Sequence, residues 1–341
     1  MLTSTQFSKV PCSSRSSSQP TTADACWLNA WNPSSTKPAP RTSSKSSSSS
    51  TAAPIPPATT CTRSLSPART RCSNRGQAAA RNAGILAARG EYVLLLDDDF
   101  VCDPNLISAH LAARSDSGSV VVGPILRDPA NNSIPALAID REIRPYYERL
   151  EAAANQPAWF PPNSSVPRQI LLACGAYDER FSSAREDTDL GIRLAGAGVR
   201  FRYAPNAVVR QHYDKSANQL IASSALFGKH DVLLARKFSE YGAQSNLSRI
   251  DSGPWWKRAA RRLAATLPFS PEPLLYPFYV VSALLANISL LHEAAIRLLN
   301  LRRYIVWIRA AVREAGGWQA LQSITAPPAP LAARASDHAD R

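Results

Sequence analysis

The sequence predicts an α/β fold, a mostly parallel sheet flanked by helices, with a helical C-terminal region added to it. Three observations predict this. Tyr92-Val93-Leu94-Leu95-Leu96 is a short unbroken apolar run, which reads as a strand buried on both faces. Residues 76–89 just upstream are Ala-rich, suit a helix and stop at Gly90. Helix then buried strand is one half of a βαβ unit. In such sheets ligands bind beyond the carboxyl ends of the strands, and there the sequence places Asp97-Asp98-Asp99.

Three adjacent carboxylates repel one another. In extended chain Asp97 and Asp99 point the same way and Asp98 points away. A divalent cation between Asp97 and Asp99 would offset the repulsion, and hard oxygen ligands suit Mg²⁺ or Mn²⁺. The other reading is a solvated acidic turn after a strand.

The chain has 341 residues, 45% of them hydrophobic, enough for one large domain or two. Its net charge is +13, unevenly placed. Residues 1–75 hold nine Lys/Arg against one acid, Asp24, which is +8 of the total. A nucleic-acid binder is disfavoured, because this charge lies in a Ser/Pro tract without an aromatic platform or groove-reading motif. Six cysteines show no C-x-x-C spacing, so neither a zinc ribbon nor a thioredoxin-like motif is supported, and a reduced cytosolic chain is the expectation. The N-terminus lacks the apolar core of a secretory signal.

Residues 1–73 sustain neither the strand nor the helix period and are expected to be disordered by composition. A second reading is a shifted frame over roughly residues 1–72. With TCG serine codons, a one-base shift turns residues 43–53 into Val-Val-Glu, five valines and Asp-Gly-Gly. That is a buried strand ending in an acidic turn, the element a βαβ domain needs before the helix at 76–89. Further on, Asp103-Pro104-Asn105 starts a helix over 106–113, and residues 119–123 form the next strand. A polar loop and then a helix over 139–154 follow. Residues 185–194 begin with Glu186, Asp187 and Asp189 and place Leu190 and Leu194 at i, i+4. This fits a helix start with one buried stripe, ended by Gly196 or Gly198. Residues 199–203 alternate as a half-exposed strand, Pro205 breaks it, and residues 208–212 follow.

Two blocks together resemble a known family. The first is Ala80-Arg81-Asn82-x-Gly84, then Gly90-Glu91-Tyr92, the apolar run and the three aspartates. The second is Gly175-Ala176-Tyr177-Asp178-Glu179-Arg180-Phe181, then Glu186-Asp187-Thr188-Asp189-Leu190-Gly191, and later His212. The pattern resembles inverting, nucleotide-sugar-dependent glycosyltransferases of the GT-A fold, family 2, over residues 74–215. The resemblance implies that Asp97 and Asp99 hold a divalent cation, Mn²⁺ or Mg²⁺, with His212 as a further ligand. It places Arg81, Asn82, Asp97 and Asp98 beside the nucleotide diphosphate. It makes Asp187 the general base on the acceptor hydroxyl, with Glu186 as the neighbour that shares the task. It implies a nucleotide-diphospho-sugar donor and a glycan or lipid-linked acceptor, as in cell-envelope polysaccharide synthesis. Family members open with a strand ending in a P-x-Y-N-type loop and a second ending in a D-G-S-type turn, and residues 1–73 contain neither. Read without the family, Asp187 is a helix N-terminal acid favoured by the macrodipole, Arg81 a solvated helix face, and His212 a strand-end histidine.

The remainder, residues 216–325, is expected to be helical and membrane-associated. Residues 274–291 carry no charge, the lower edge of a spanning length. Trp255, Trp256, Tyr276, Phe278 and Tyr279 with flanking arginines suit a membrane interface, and residues 293–315 read as a basic amphipathic helix. The alternative is a helical hairpin packed on the catalytic domain. Residues 326–341 are a polar Pro/Ala-rich tail. The expected setting is the cytoplasmic face of the plasma membrane. The rival function is an inactive remnant that acts at most as a membrane-associated interaction protein.

Overall fold

A computed structural model describes residues 27–31, 76–152, 160–182, 184–284 and 289–326. Strand β1 (Trp27–Trp31) precedes helix α1 (Gln77–Ala87) and strand β2 (Tyr92–Leu96). A tight turn leads to β3 (Phe100–Cys102), α2 (Leu106–Ala112), β4 (Val120–Val122) and β5 (Ile125–Arg127). Then come α3 (Ile134–Ala152), β6 (Ser164–Pro167), α4 (Arg168–Ala173), α5 (Glu186–Gly196), β7 (Phe201–Tyr203) and β8 (Val209–Gln211). The helical region holds α6 (Ala217–Lys237), α7 (Ser239–Gln244), α8 (Trp255–Thr266), α9 (Tyr276–Leu284), α10 (Ser289–Ala315) and α11 (Trp318–Thr325).

One sheet has the order β1-β2-β6-β4-β7 and a second the order β3-β8-β5. The class is α/β as expected, but the sheet is mixed rather than mostly parallel. β2 runs antiparallel to β1 and β6, and β6 antiparallel to β4; β4–β7 and β5–β8 are the parallel pairs. Parallel neighbours need a crossover connection. The strand expected before α1 lies in residues 32–75, outside the described residues. All five residues of β2 are buried. Val93 to Leu96 share a core with Ala78 and Ile85 of α1, Val120–Val122 of β4 and Leu190 and Leu194 of α5.

Several boundaries differ from expectation. α3 starts at Ile134, before residue 139, and a short strand at Ile125–Arg127 precedes it. The uncharged run 274–291 is not one helix. It divides into a 3₁₀ turn (Glu272–Leu275), α9 and the start of α10, with residues 285–288 outside the description. Among the described residues no helix is long and apolar enough to cross a membrane. The expectation for 1–73 lies outside the described residues except at β1.

The helical region docks on the α/β layer. Ile134, Ala136 and Ala138 of α3 pack with Leu220 and Ile221 of α6, Tyr279 of α9 and Ile296 and Leu299 of α10. α6 and α10 cross closely at Gly228, where an added Cβ would strike the Trp307 carbonyl.

Candidate active site

The site is built where α1, the end of β2 and the start of α5 meet. Gly76 begins α1 with φ +94°, and the Gln77 N–H donates to the Ser182 carbonyl at 2.7 Å. A Cβ on Gly76 would strike that same carbonyl, so glycine sets the closeness of α1 to the loop before α5. One turn along, Arg81 points inward rather than to solvent. It is 5% exposed and forks between two carboxylates: Nη1 to Glu186 Oε1 at 2.6 Å and Nη2 to Asp97 Oδ1 at 2.9 Å. The acids of the two sequence blocks are thus joined through one guanidinium.

Glu186 is 4% exposed, and its Oε2 is buried without a hydrogen-bond partner. Burial pushes its carboxyl up to about 7, against the pull of Arg81. Asp187, the next residue, is half-buried. Its Oδ1 accepts the Thr188 N–H at 2.7 Å, and its carbonyl accepts the Phe160 N–H at 3.2 Å. Burial first, and the Asp187 carboxylate second, push the Tyr146 phenol up.

Asp97, Asp98 and Asp99 sit in the turn between β2 and β3, not in extended chain. Asp98 is exposed, while Asp97 and Asp99 are half-buried. Asp99 Oδ2 accepts Gln211 Nε2 at 2.9 Å, and Oδ1 is buried without a partner. Burial pushes Asp99 up to about 6. Pairing of β3 with β8 brings His212 alongside, its N–H donating to the Asp99 carbonyl at 2.8 Å. The His212 ring is exposed and lies between Asp128 (3.1 Å) and Asp214 (3.2 Å), and the Asp128 hydrogen bond first holds its pKa up. Among the described residues no three His, Cys, Asp or Glu side chains converge as a metal-ligand set. The orphaned Asp99 Oδ1 beside Asp97 fits a hard cation whose remaining ligands come from a diphosphate and water.

Asn82 is occupied in the fold. Its Nδ2 donates to the Tyr177 carbonyl and its Oδ1 accepts the Tyr177 N–H, both at 2.8 Å, which pins the second block to α1.

Residues 69–166 match the model of glycosyl transferase family 2. The matched segment takes in α1, β2 and the three aspartates. Two relatives among curated proteins are from Mycobacterium tuberculosis. A pre-mycofactocin glycosyltransferase is 30% identical over 175 residues, 48% of this chain and 35% of the relative. An N-acetylglucosaminyl-diphospho-decaprenol L-rhamnosyltransferase is 27% identical over 155 residues, 39% of this chain and 50% of the relative. The chain thus spans half or less of the length of these relatives. Among solved structures it is similar to the mannosyltransferase PcManGT from Pyrobaculum calidifontis in complex with GDP-Man and Mn²⁺. That likeness has 19% identity and a TM-score of 0.45, over 72% of this chain and 68% of that one.

A group that sequence reasoning missed holds the start of α5. One face of α6 grips the loop before it. His230 Nδ1 contacts the Ala184 carbonyl at 2.7 Å, Lys237 Nζ binds Asp178 at 2.8 Å and Asp189 at 2.5 Å, and Asp231 receives Arg185 Nε at 2.6 Å. Asp231 is 2% exposed and also accepts Tyr241 Oη and Trp307 Nε1, each at 2.7 Å. Arg185 sits at φ +65°, immediately before Glu186. The signal in the sequence was slight: an aspartate between His230 and the apolar Val232 and Leu233.

A second buried network lies under the carboxyl end of β2. Asn163, at φ +68°, donates to the Pro124 and Ala207 carbonyls and pairs with His110, which contacts Ser165 Oγ. Burial pushes His110 down to about 4.

Proposed function

We propose that this chain transfers a sugar from a nucleotide-diphosphate donor to an acceptor hydroxyl with inversion at the anomeric carbon. The observation that carries it is the Arg81 bridge, which brings Asp97 and the Glu186–Asp187 pair to one end of β2. The family match over residues 69–166 and the glycosyltransferase names of both relatives support the reading.

The roles follow from chemistry. Asp187 accepts the proton as the acceptor oxygen forms its bond to the anomeric carbon and the bond to the diphosphate oxygen breaks on the opposite face. Glu186 is the buried neighbour, held by Arg81, that keeps Asp187 at its post. Asp97 and Asp99 would hold Mn²⁺ or Mg²⁺, which when bound neutralises charge on the departing diphosphate. Asp98, on the exposed side of the turn, faces the nucleotide. Arg81 sets the direction of the Asp97 carboxylate, and Asn82 fixes the loop beneath. The acceptor is a glycan or a lipid-linked glycan, and the reaction is placed at the inner face of the plasma membrane. Residues 74–215 are the catalytic unit, and residues 216–325 support it.

Calorimetry with a nucleoside diphosphate and Mn²⁺ tests the donor half. Asp97→Ala and Asp99→Ala should each abolish metal-dependent binding, while Asp98→Ala should weaken it less. Equal loss at all three would contradict the division of the turn. Full metal-dependent binding by the Asp97→Ala/Asp99→Ala double variant would sink the assignment.

A further inference from the structure

α8 turns large apolar side chains outward. A surface helix ordinarily turns its apolar stripe to the core and its charges to water. Here Trp255, Trp256 and Leu263 fall on one face and are 73%, 54% and 59% exposed. The opposite face is held to the protein by polar groups. Arg261 Nη1 donates to the Ile250 carbonyl at 3.1 Å and the Ser252 carbonyl at 2.7 Å. Arg309 of α10 donates to the Ala264 and Leu267 carbonyls at 2.7 and 2.9 Å.

The segment that follows repeats the arrangement. Leu274, Phe278 and Val281, at i, i+4 and i+7, are all exposed, while Tyr279 and Ser282 are buried. This segment too is anchored on α10. Arg302 binds Glu272 at 2.5 Å and lies over the rings of Tyr276 and Tyr279, at 4.9 and 5.3 Å. Arg302 and Arg309 are seven residues apart, two turns of one helix, and so share a face of α10. Both segments therefore lie over the same side of α10, and their outward stripes face away from it together.

Charge says what covers this face. Lys257, Arg258 and Arg262 are exposed along its border. The sole acid in residues 252–284 is Glu272, which Arg302 already holds. A second copy of the chain would bring the same uncompensated cations to the same patch. Exposed tryptophans flanked by Lys and Arg match the boundary of a bilayer, where the ring enters the interface and the cations meet anionic headgroups.

We propose that α8 and the 274–281 segment form a docking face for an anionic lipid surface, in-plane and without a spanning helix. The docking gives a partner to the membrane reading above and needs no turnover, so it stands or falls apart from catalysis. The test is flotation of the full chain with phosphatidylcholine vesicles, with and without phosphatidylglycerol. Binding should require phosphatidylglycerol and weaken at high salt. Lys257→Gln/Arg258→Gln should reduce binding on the order of 25-fold, taking about fivefold per cation near an anionic surface. Trp255→Ser/Trp256→Ser should also reduce it, with near-ultraviolet circular dichroism confirming an intact fold. Equal flotation with neutral vesicles would overturn the proposal, as would folded tryptophan and charge variants that bind like the parent. So would a chain that ignores both vesicle types and sediments as a dimer, which would give the face to a second copy.

Discussion

Asp231→Asn keeps the shape of a buried side chain and removes its charge. Asp231 accepts from three residues, Arg185, Tyr241 and Trp307. The new amide nitrogen must replace one oxygen. In Oδ2's place it faces the Trp307 Nε1–H, and in Oδ1's place it faces the Arg185 Nε–H, so either way a donor meets a donor. Arg185 also loses its counter-charge. Breaking a fully buried ion pair on one side costs about 3–5 kcal/mol. The Arg185 side chain is 29% exposed and water recovers part of this, so we expect about 2–4 kcal/mol. Guanidinium unfolding of the full chain measures it as a lower midpoint at unchanged slope. Because Arg185 precedes Glu186 at φ +65°, turnover should fall more than donor affinity. A double-mutant cycle with Arg185→Gln should give a coupling of at least about 1 kcal/mol. A loss below about 1 kcal/mol for Asp231→Asn would refute the reasoning, since it would show that the carboxylate is not desolvated.

Two further outcomes follow from the same packing. Gly76→Ala should cost about 1–3 kcal/mol in the same assay, because the position needs φ +94° and the Cβ strikes the Ser182 carbonyl; stability within about 0.5 kcal/mol of the parent would contradict this. His110 gives a pH dependence. Its folded pKa, about 4, lies below the unfolded value, so the unfolded chain binds the extra proton first. Its contribution is complete above about pH 6.5 and is lost as pH falls toward 4, by up to about 3 kcal/mol. His110→Gln should flatten the stability profile over that window, and an identical slope in parent and variant would sink the assignment.

The parts of the fold that were legible in the sequence have strong periods. β2 and α1 were plain, because five apolar residues before three aspartates admit few readings, and an Ala-rich segment ending in glycine favours helix. α5 was legible from its first-turn acids and its Leu190/Leu194 spacing. β6 was not. Ser164-Ser165-Val166-Pro167 is short, half serine and ends in proline, yet it is a fully buried strand between β2 and β4. Ser165 is tolerated there because Arg114 Nη2 and His110 meet its Oγ, a long-range satisfaction that no local pattern encodes. For the same reason Arg81 read as a solvated helix face. Its carboxylate partners are 16 and 105 residues away. The uncharged run 274–291 lies at the lower edge of a spanning length, but Pro277 at the second position of α9 marks a helix start and not a continuation. Removing residues 254–341 would therefore not release a detachable anchor. It would strip α10 and α11 from the core they share with Val232 and Ala235 of α6.

The assignment of the base is tested most directly by single-turnover sugar transfer with Asp187→Asn beside Glu186→Gln, donor affinity being measured in parallel. Asp187→Asn should lower the transfer rate by roughly 10²- to 10⁴-fold, the usual worth of a general base, with donor affinity almost unchanged. Full activity in Asp187→Asn, with or without loss in Glu186→Gln, would contradict the account.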